Sequence, residues 1–208
     1  MRIILASTSP QRKALLALLH LPFDIVEPIW EEPTNRRGSP RALCAHHAVQ
    51  KARSIAARFP HALVISGDTV IELDGLPLGK PHDIDEAREM LRQLNHRAHQ
   101  VHTAVALVHK VRQIDVSFIE TATVWMKPLT NDDIATYVAT GESLGRAGSY
   151  CIQGEGAKLI SRLAGDYTTV VGFPLWKLVD YLEDLGLEPP INLPALYHDR
   201  PYPNWDRF

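Results

Sequence analysis

Arg2-Ile3-Ile4-Leu5-Ala6-Ser7-Thr8-Ser9-Pro10-Gln11-Arg12-Lys13 opens the chain, and its reading sets the fold class. The apolar run from Arg2 to Ala6 reads as a short buried strand. Ser9 suits a helix N-cap, and Pro10 suits the first helical turn, where its missing N–H is no loss. Leu15, Leu16, Leu18 and Leu19 then give the helix an apolar side, and Leu21-Pro22 stops it. Strand, tight turn and helix start in quick succession predict an α/β domain.

The same grammar continues. Phe23 to Pro28 reads as a second strand, and Ser39-Pro40 repeats the cap-plus-proline signal before a long helix running through Phe59. Ala48, Ala52, Ile55 and Ala56 form its inner face, with His47 and Lys51 beside it. Ala62 to Ser66 is an apolar strand ending at Gly67-Asp68-Thr69. Val70 to Leu73, Asp74-Gly75 and Leu76-Pro77-Leu78 suggest a hairpin, closed by Gly79-Lys80-Pro81. Asp83 and Glu86 have capping-box spacing before a third helix. Val101, Thr103, Val105 and Leu107 alternate as a strand, and Val116 to Met126 looks like its neighbour. A short helix over Thr130 to Thr140, a strand-like run over Lys158 to Leu163 and a last helix after Pro174 complete the reading. We divide the chain into a domain over 1–187 and a Pro-rich tail over 188–208. The tail has no clear periodicity and reads as an extended strap or loose end.

The 208 residues are 45% hydrophobic and 22% charged, ordinary for a globular protein that needs no disulfide framework. Free thiols at Cys44 and Cys151 are the simpler reading, with one bridge between them the alternative. The 22 basic and 24 acidic residues leave a net charge of −2, without the basic excess of nucleic-acid binders. Neither a secretory signal nor an apolar membrane span is evident, so the expected location is the cytoplasm.

Two segments could carry chemistry. At the first helix start, unpaired N–H groups, the Ser7 and Ser9 hydroxyls and the Arg12 fork suit a phosphate. An ordinary capped helix with solvated basic residues is the other reading. At Gly67-Asp68-Thr69, Asp68 is a potential magnesium ligand and proton acceptor, or simply a turn cap. Lys51 and Lys80 are candidate phosphate-holding cations, Lys80 being fixed between Gly79 and Pro81. Glu32 is a candidate second metal ligand in an acidic loop. His96, His99 and His102 have metal-like spacing, but on a strand successive members face opposite sides.

These segments together resemble the Maf family of nucleoside triphosphate pyrophosphatases. The resemblance rests on Ala6-Ser7-Thr8-Ser9-Pro10, Glu32, Gln50-Lys51-Ala52, Gly67-Asp68-Thr69-Val70, Gly79-Lys80-Pro81, Val101-His102-Thr103, Ala147-Gly148-Ser149-Tyr150 and Val170-Val171-Gly172-Phe173-Pro174-Leu175, in that order and spacing. It implies a Maf/ITPase-like α/β fold, with a long mixed sheet, flanking helices and two lobes around a central cleft. It also implies hydrolysis between the α- and β-phosphorus with a divalent cation, Mg2+ or Mn2+. Asp68 matches the proposed proton acceptor and Glu32 shares metal binding. Ser7, Arg12, Lys51 and Lys80 match phosphate-holding positions, and the Ser9 hydroxyl at the helix start is a further phosphate-binding candidate.

Asp68-Thr69 and Ile152-Gln153-Gly154 are similar to the branch acting on dTTP and UTP. The Gln153 amide, donor and acceptor at once, suits the imide edge of thymine or uracil. Gln11 departs from the second arginine of that branch's Ser-Pro-Arg-Arg, and Phe173 from a frequent Leu. Gln11, Thr69 and Gln153 are thus the expected specificity residues. The alternatives are the branch acting on 7-methyl-GTP and a non-enzymatic nucleotide-binding regulator of cell division. The expected partner is a nucleoside triphosphate, without nucleic acid or membrane; the sequence leaves a homodimer open.

Overall fold

The computed structural model describes residues 1–30 and 38–208. Among the described residues, seven strands build one mixed sheet. β1 (Ile3–Ala6), buried along its whole length, lies parallel to β2 (Asp24–Ile25) on one side and to β3 (Leu63–Leu73) on the other. β5 (Ala98–His109) runs antiparallel along the opposite edge of β3, followed by β6 (Ile114–Met126) and β7 (Ile160–Ala164). β4 (Leu76–Leu78) folds back on the end of β3 through Asp74-Gly75, where both residues have positive φ, 53° and 81°. That geometry matches the twist of a two-residue hairpin.

β3 is longer than the sequence indicates. Gly67 reads as punctuation, yet the strand continues through it to Leu73. The position is crowded instead: a Cβ there would lie 3.1 Å from Arg12 Nε and 3.2 Å from both Ala104 O and Phe173 Cε2. The consequence for the sheet is specific. β1 pairs with residues 63–66 of β3 and β4 with residues 71–73, so residues 67–70 have no strand beside them on that edge. A gap therefore opens in the sheet, centred on Gly67-Asp68-Thr69-Val70.

The two-residue period of the strands divides the core. Leu63, Ile65, Ile71, Val101, Val105 and Leu107 face one side. There they meet α1 (Pro10–Ala17), α3 (Ile84–Leu94), α4 (Asn131–Ala139), α5 (Tyr167–Val171) and α6 (Leu175–Asp184). Val64, Ala104, Ala106 and Val108 face the other side, covered by α2 (Pro40–Ala56). Ala48, Ala52, Ile55 and Ala56 are fully buried there, as the helical period predicts. Small side chains on both surfaces let that helix lie close to the sheet. None of the described helices is long and apolar enough to cross a membrane.

Other expectations shift in detail. The second strand contracts to two residues, and α2 ends at Ala56 rather than Phe59. Asp83 caps α3 by accepting from Glu86 N at 2.8 Å, while Glu86 reaches back to His82 N rather than to Asp83 N. The segment after Glu188 is not merely extended. It contains α7 (Leu193–Asp199), capped by Asn192, and buries Trp205 against Tyr167. Its helix is only seven residues long and carries Pro194 in its first turn, too short to show a helical period in the sequence.

Both cysteines are free and buried. Burial, followed by the nearby Asp68 charge, pushes the Cys44 thiol up to about 12. The three histidines do not converge: His99 bonds Tyr150 on one face of β5, while His102 contacts Thr121 and Glu72 on the other.

His99 is 2% exposed, and desolvation lowers its pKa from 6.5 to about 4. The folded state therefore binds fewer protons than the unfolded chain between these values, so its contribution is complete above pH 6.5 and declines as pH falls toward 4. Urea unfolding should show a loss over this window about 3 kcal/mol larger in wild type than in His99→Gln, which does not titrate. Equal slopes for the two proteins would remove His99 as the cause.

Candidate active site

The charged residues gather at the gap in the sheet. β1 ends at Ala6 and α1 begins at Pro10, so the turn Ser7-Thr8-Ser9 lies beside the unpaired stretch of β3. A cleft of about 1440 Å³ opens there, ample for a nucleotide. Its α1 side carries Ser7, Ser9, Gln11 and Arg12; the sheet supplies Asp68 and Thr69. Lys51 enters from α2, Lys80 from the turn after β4, and Gln153 from the loop before β7. Every predicted site residue within the described segments thus borders one cleft. Glu32 lies outside the described residues.

Period two sends Asp68 and Thr69 to opposite faces of the sheet. Asp68, 7% exposed, faces α2. Cys44, His47 and Lys51 occupy positions i, i+3 and i+7 of that helix, a single stripe, and all three reach it. Lys51 Nζ lies 2.7 Å from Oδ1 and His47 Nδ1 lies 3.3 Å from Oδ2. Cys44 Sγ donates to the Asp68 carbonyl at 3.2 Å. Burial alone would push the Asp68 carboxyl up, but the adjoining His47 imidazole and the charges of Lys51 and Arg12 outweigh it. The carboxyl is held below the ordinary aspartate range and is ionised at neutral pH.

Thr69 faces the other way, toward Arg12. Arg12 Nη2 donates to Thr69 Oγ1 at 3.0 Å, and Arg12 Nε donates to Gly172 O at 3.0 Å. Thr103 Oγ1 gives its proton to Thr169 O at 2.7 Å. Thr69 must therefore donate to Thr103 across their 3.0 Å contact, which leaves its oxygen free to accept from Arg12. This relay fixes the plane of the guanidinium beside the α1 start. It also commits the Thr69 hydroxyl to protein partners. Gly172 has φ 118°, and a Cβ there would stand 3.1 Å from Thr69 Oγ1.

The α1 turn is ordered by its own side chains. Ser9 N donates to Ser7 Oγ at 3.2 Å, Ser9 Oγ accepts from Arg12 N at 3.4 Å, and Ser9 Oγ donates to Gln11 Oε1 at 3.1 Å. Pro10 has no N–H and Arg12 N is taken by Ser9, which leaves Gln11 N, with the helix dipole, to favour an anion at the first turn. Lys80, exposed on its turn, adds a cation from across the cleft; Gly79 O accepts from Gly148 N at 3.0 Å and anchors that turn.

His47 stands beside Lys51 on the helix, and its i, i+4 relation to Lys51 is the one sequence signal of its contact with Asp68. Thr103, Thr169 and Gly172 were missed as supports of Arg12. Their link spans about 160 residues and follows no local pattern. Arg146, which also lines the cleft, carries no motif at all.

The family model described as "Maf-like protein" matches residues 2–185. A dTTP/UTP pyrophosphatase of Bacillus velezensis is 44% identical over 90% of this chain and 98% of its own. The protein of that name from Symbiobacterium thermophilum is 43% identical, over 89% of this chain and 94% of its own. One from Methanosarcina mazei is 41% identical over 89% and 95%, respectively. The solved structure of the Staphylococcus aureus Ham1 protein aligns with a TM-score of 0.45 and 16% identity, covering 61% of this chain and 72% of that one. A family match from residue 2 to residue 185, with relatives aligned over nearly their full lengths, places the chain in the Maf-like protein family.

Proposed function

We propose that this protein is a nucleoside triphosphate pyrophosphatase that hydrolyses dTTP and UTP to the monophosphate and pyrophosphate. The observation that carries the reading is the single cleft lined by an ionised, buried Asp68, by the α1 start and by the cations Arg12, Lys51 and Lys80. The relatives named dTTP/UTP pyrophosphatase support the substrate.

In this reading the triphosphate lies along the α1 start. Backbone N–H groups, Arg12 and Lys80 neutralise charge that grows on the leaving pyrophosphate. Water adds to the α-phosphorus and the bond to the α–β bridging oxygen breaks. Asp68 Oδ2 takes the water proton, and Lys51 and His47 hold the carboxylate in place. Among the described residues no group of three His, Cys, Asp or Glu converges on a metal. One carboxylate together with substrate phosphates nevertheless fits a hard cation such as magnesium, which is commonly held that way. Asp68 would hold a magnesium or manganese ion with those phosphates, and the ion would supply a Lewis acid that makes bound water more acidic. Glu32 is proposed as its second ligand. Gln153, on the far side of the cleft, is the group assigned to the pyrimidine edge.

A panel of dTTP, UTP, 7-methyl-GTP and dGTP with magnesium tests this directly. Pyrophosphate should be the first product, with dTTP and UTP favoured at least tenfold in kcat/KM. Orthophosphate as first product, or a clear preference for 7-methyl-GTP, contradicts the assignment. Asp68→Asn keeps the side chain's volume and should lower kcat by at least a hundredfold, the scale of a lost general base. Thr69→Val leaves Arg12 Nη2 without its hydroxyl acceptor and should raise KM on the order of tenfold, with a smaller change in kcat. An unchanged KM would show that the relay does not hold Arg12 for the substrate.

A further inference from the structure

The segment beyond the family-matched residues 2–185 reaches the loop that carries Gln153. Asn204 Nδ2 donates to Ile152 O at 3.3 Å and to Gly154 O at 3.1 Å, the carbonyls on either side of Gln153. The loop is held from its other side as well. Glu142 Oε1 accepts from Glu155 N at 3.0 Å and Oε2 from Gly156 N at 3.3 Å. Cys151 N donates to Tyr137 OH at 3.1 Å, and Gly154 N closes the turn onto Cys151 O at 3.2 Å. The backbone around Gln153 is thus tied on both sides, while Gln153 itself lines the cleft.

Asn204 can make these bonds because of its own conformation and its neighbours. It sits at φ 61°, ψ 6°, a left-handed position that asparagine tolerates better than most residues. Pro203 O, just before it, accepts from Tyr167 OH. Trp205, just after it, is 4% exposed and stacks on Tyr167 with ring centroids 5.6 Å apart. Upstream, Tyr197 OH donates to Asp166 Oδ2 at 2.9 Å and accepts from Trp176 N at 3.0 Å. The start of α5, at Asp166 and Tyr167, and the first turn of α6, at Trp176, are therefore held by the same segment, on either side of the Gly172 carbonyl that accepts from Arg12.

We propose that Asn204 is a positioning residue for base selection: it fixes the Ile152-Gln153-Gly154 turn so that the Gln153 amide meets the edge of a pyrimidine. The ligand class rests on the function proposed above; the clamp rests on the bonds to the two carbonyls. Other residues hold the phosphate half, so the effect of Asn204 is confined to the base.

Calorimetric binding of the α,β-methylene analogues of dTTP and dGTP, and of inorganic pyrophosphate, separates these contributions. Asn204→Gly removes the amide while accommodating the positive φ and leaving Trp205 in place. Asn204→Asp keeps the shape but turns an acceptor toward two carbonyls. Both should weaken the dTTP analogue about tenfold, Asn204→Asp the more, with pyrophosphate and the dGTP analogue unchanged. Equal weakening of all three ligands would mean general loosening of the fold and overturn the proposal, as would unchanged discrimination in both variants. Should wild type discriminate bases through Asn204 yet release no pyrophosphate from dTTP, the hydrolytic reading falls and the clamp stands.

Discussion

The arrangement depends on one buried charge. A carboxylate removed from water costs several kcal/mol unless partners compensate it. Asp68 sits at the centre of the sheet, almost out of solvent, and is nevertheless ionised. What makes this tolerable is a stripe of one helix, where Cys44, His47 and Lys51 address its carbonyl and both carboxylate oxygens. Removal of one such partner from a buried pair commonly costs about 3–5 kcal/mol, because the remaining charge is left uncompensated. The packing of α2 on the sheet and the chemistry of Asp68 are therefore one constraint.

The sheet provides the place for that charge by being incomplete. Where β1 ends and β4 has not yet begun, the edge of β3 is open, and the α1 start fills the breach with N–H groups and hydroxyls. The two faces of β3 then divide the work. Asp68 on one face is the anionic centre; Thr69 on the other passes its oxygen to Arg12 and its proton to Thr103. A one-residue slip in register would exchange these environments, placing the carboxylate among the apolar residues of the larger core.

Much of this was legible locally. Ser9-Pro10 and Ser39-Pro40 announced two helix starts, and Ser9 and Ser39 do accept from the N3 backbone there. Asp74-Gly75 announced the hairpin. Gly67 misled, because a glycine at a crowded strand position looks the same in sequence as a glycine that turns the chain. The convergence of Arg12 with Gly172, and of Asn204 with the carbonyls around Gln153, had no local signature: these contacts join distant positions through the tertiary fold. The proline-broken tail concealed its helix for a different reason. Seven residues are too few to display a 3.6-residue period.

The most direct measurement is a carbon-13 NMR titration of the Asp68 side-chain carboxyl in the folded protein, repeated in Lys51→Met. Compensation by Lys51 and His47 predicts a midpoint below the reference value of 3.8 in wild type and an upward shift in the variant. A wild-type midpoint above 3.8, which burial would produce on its own, contradicts the account.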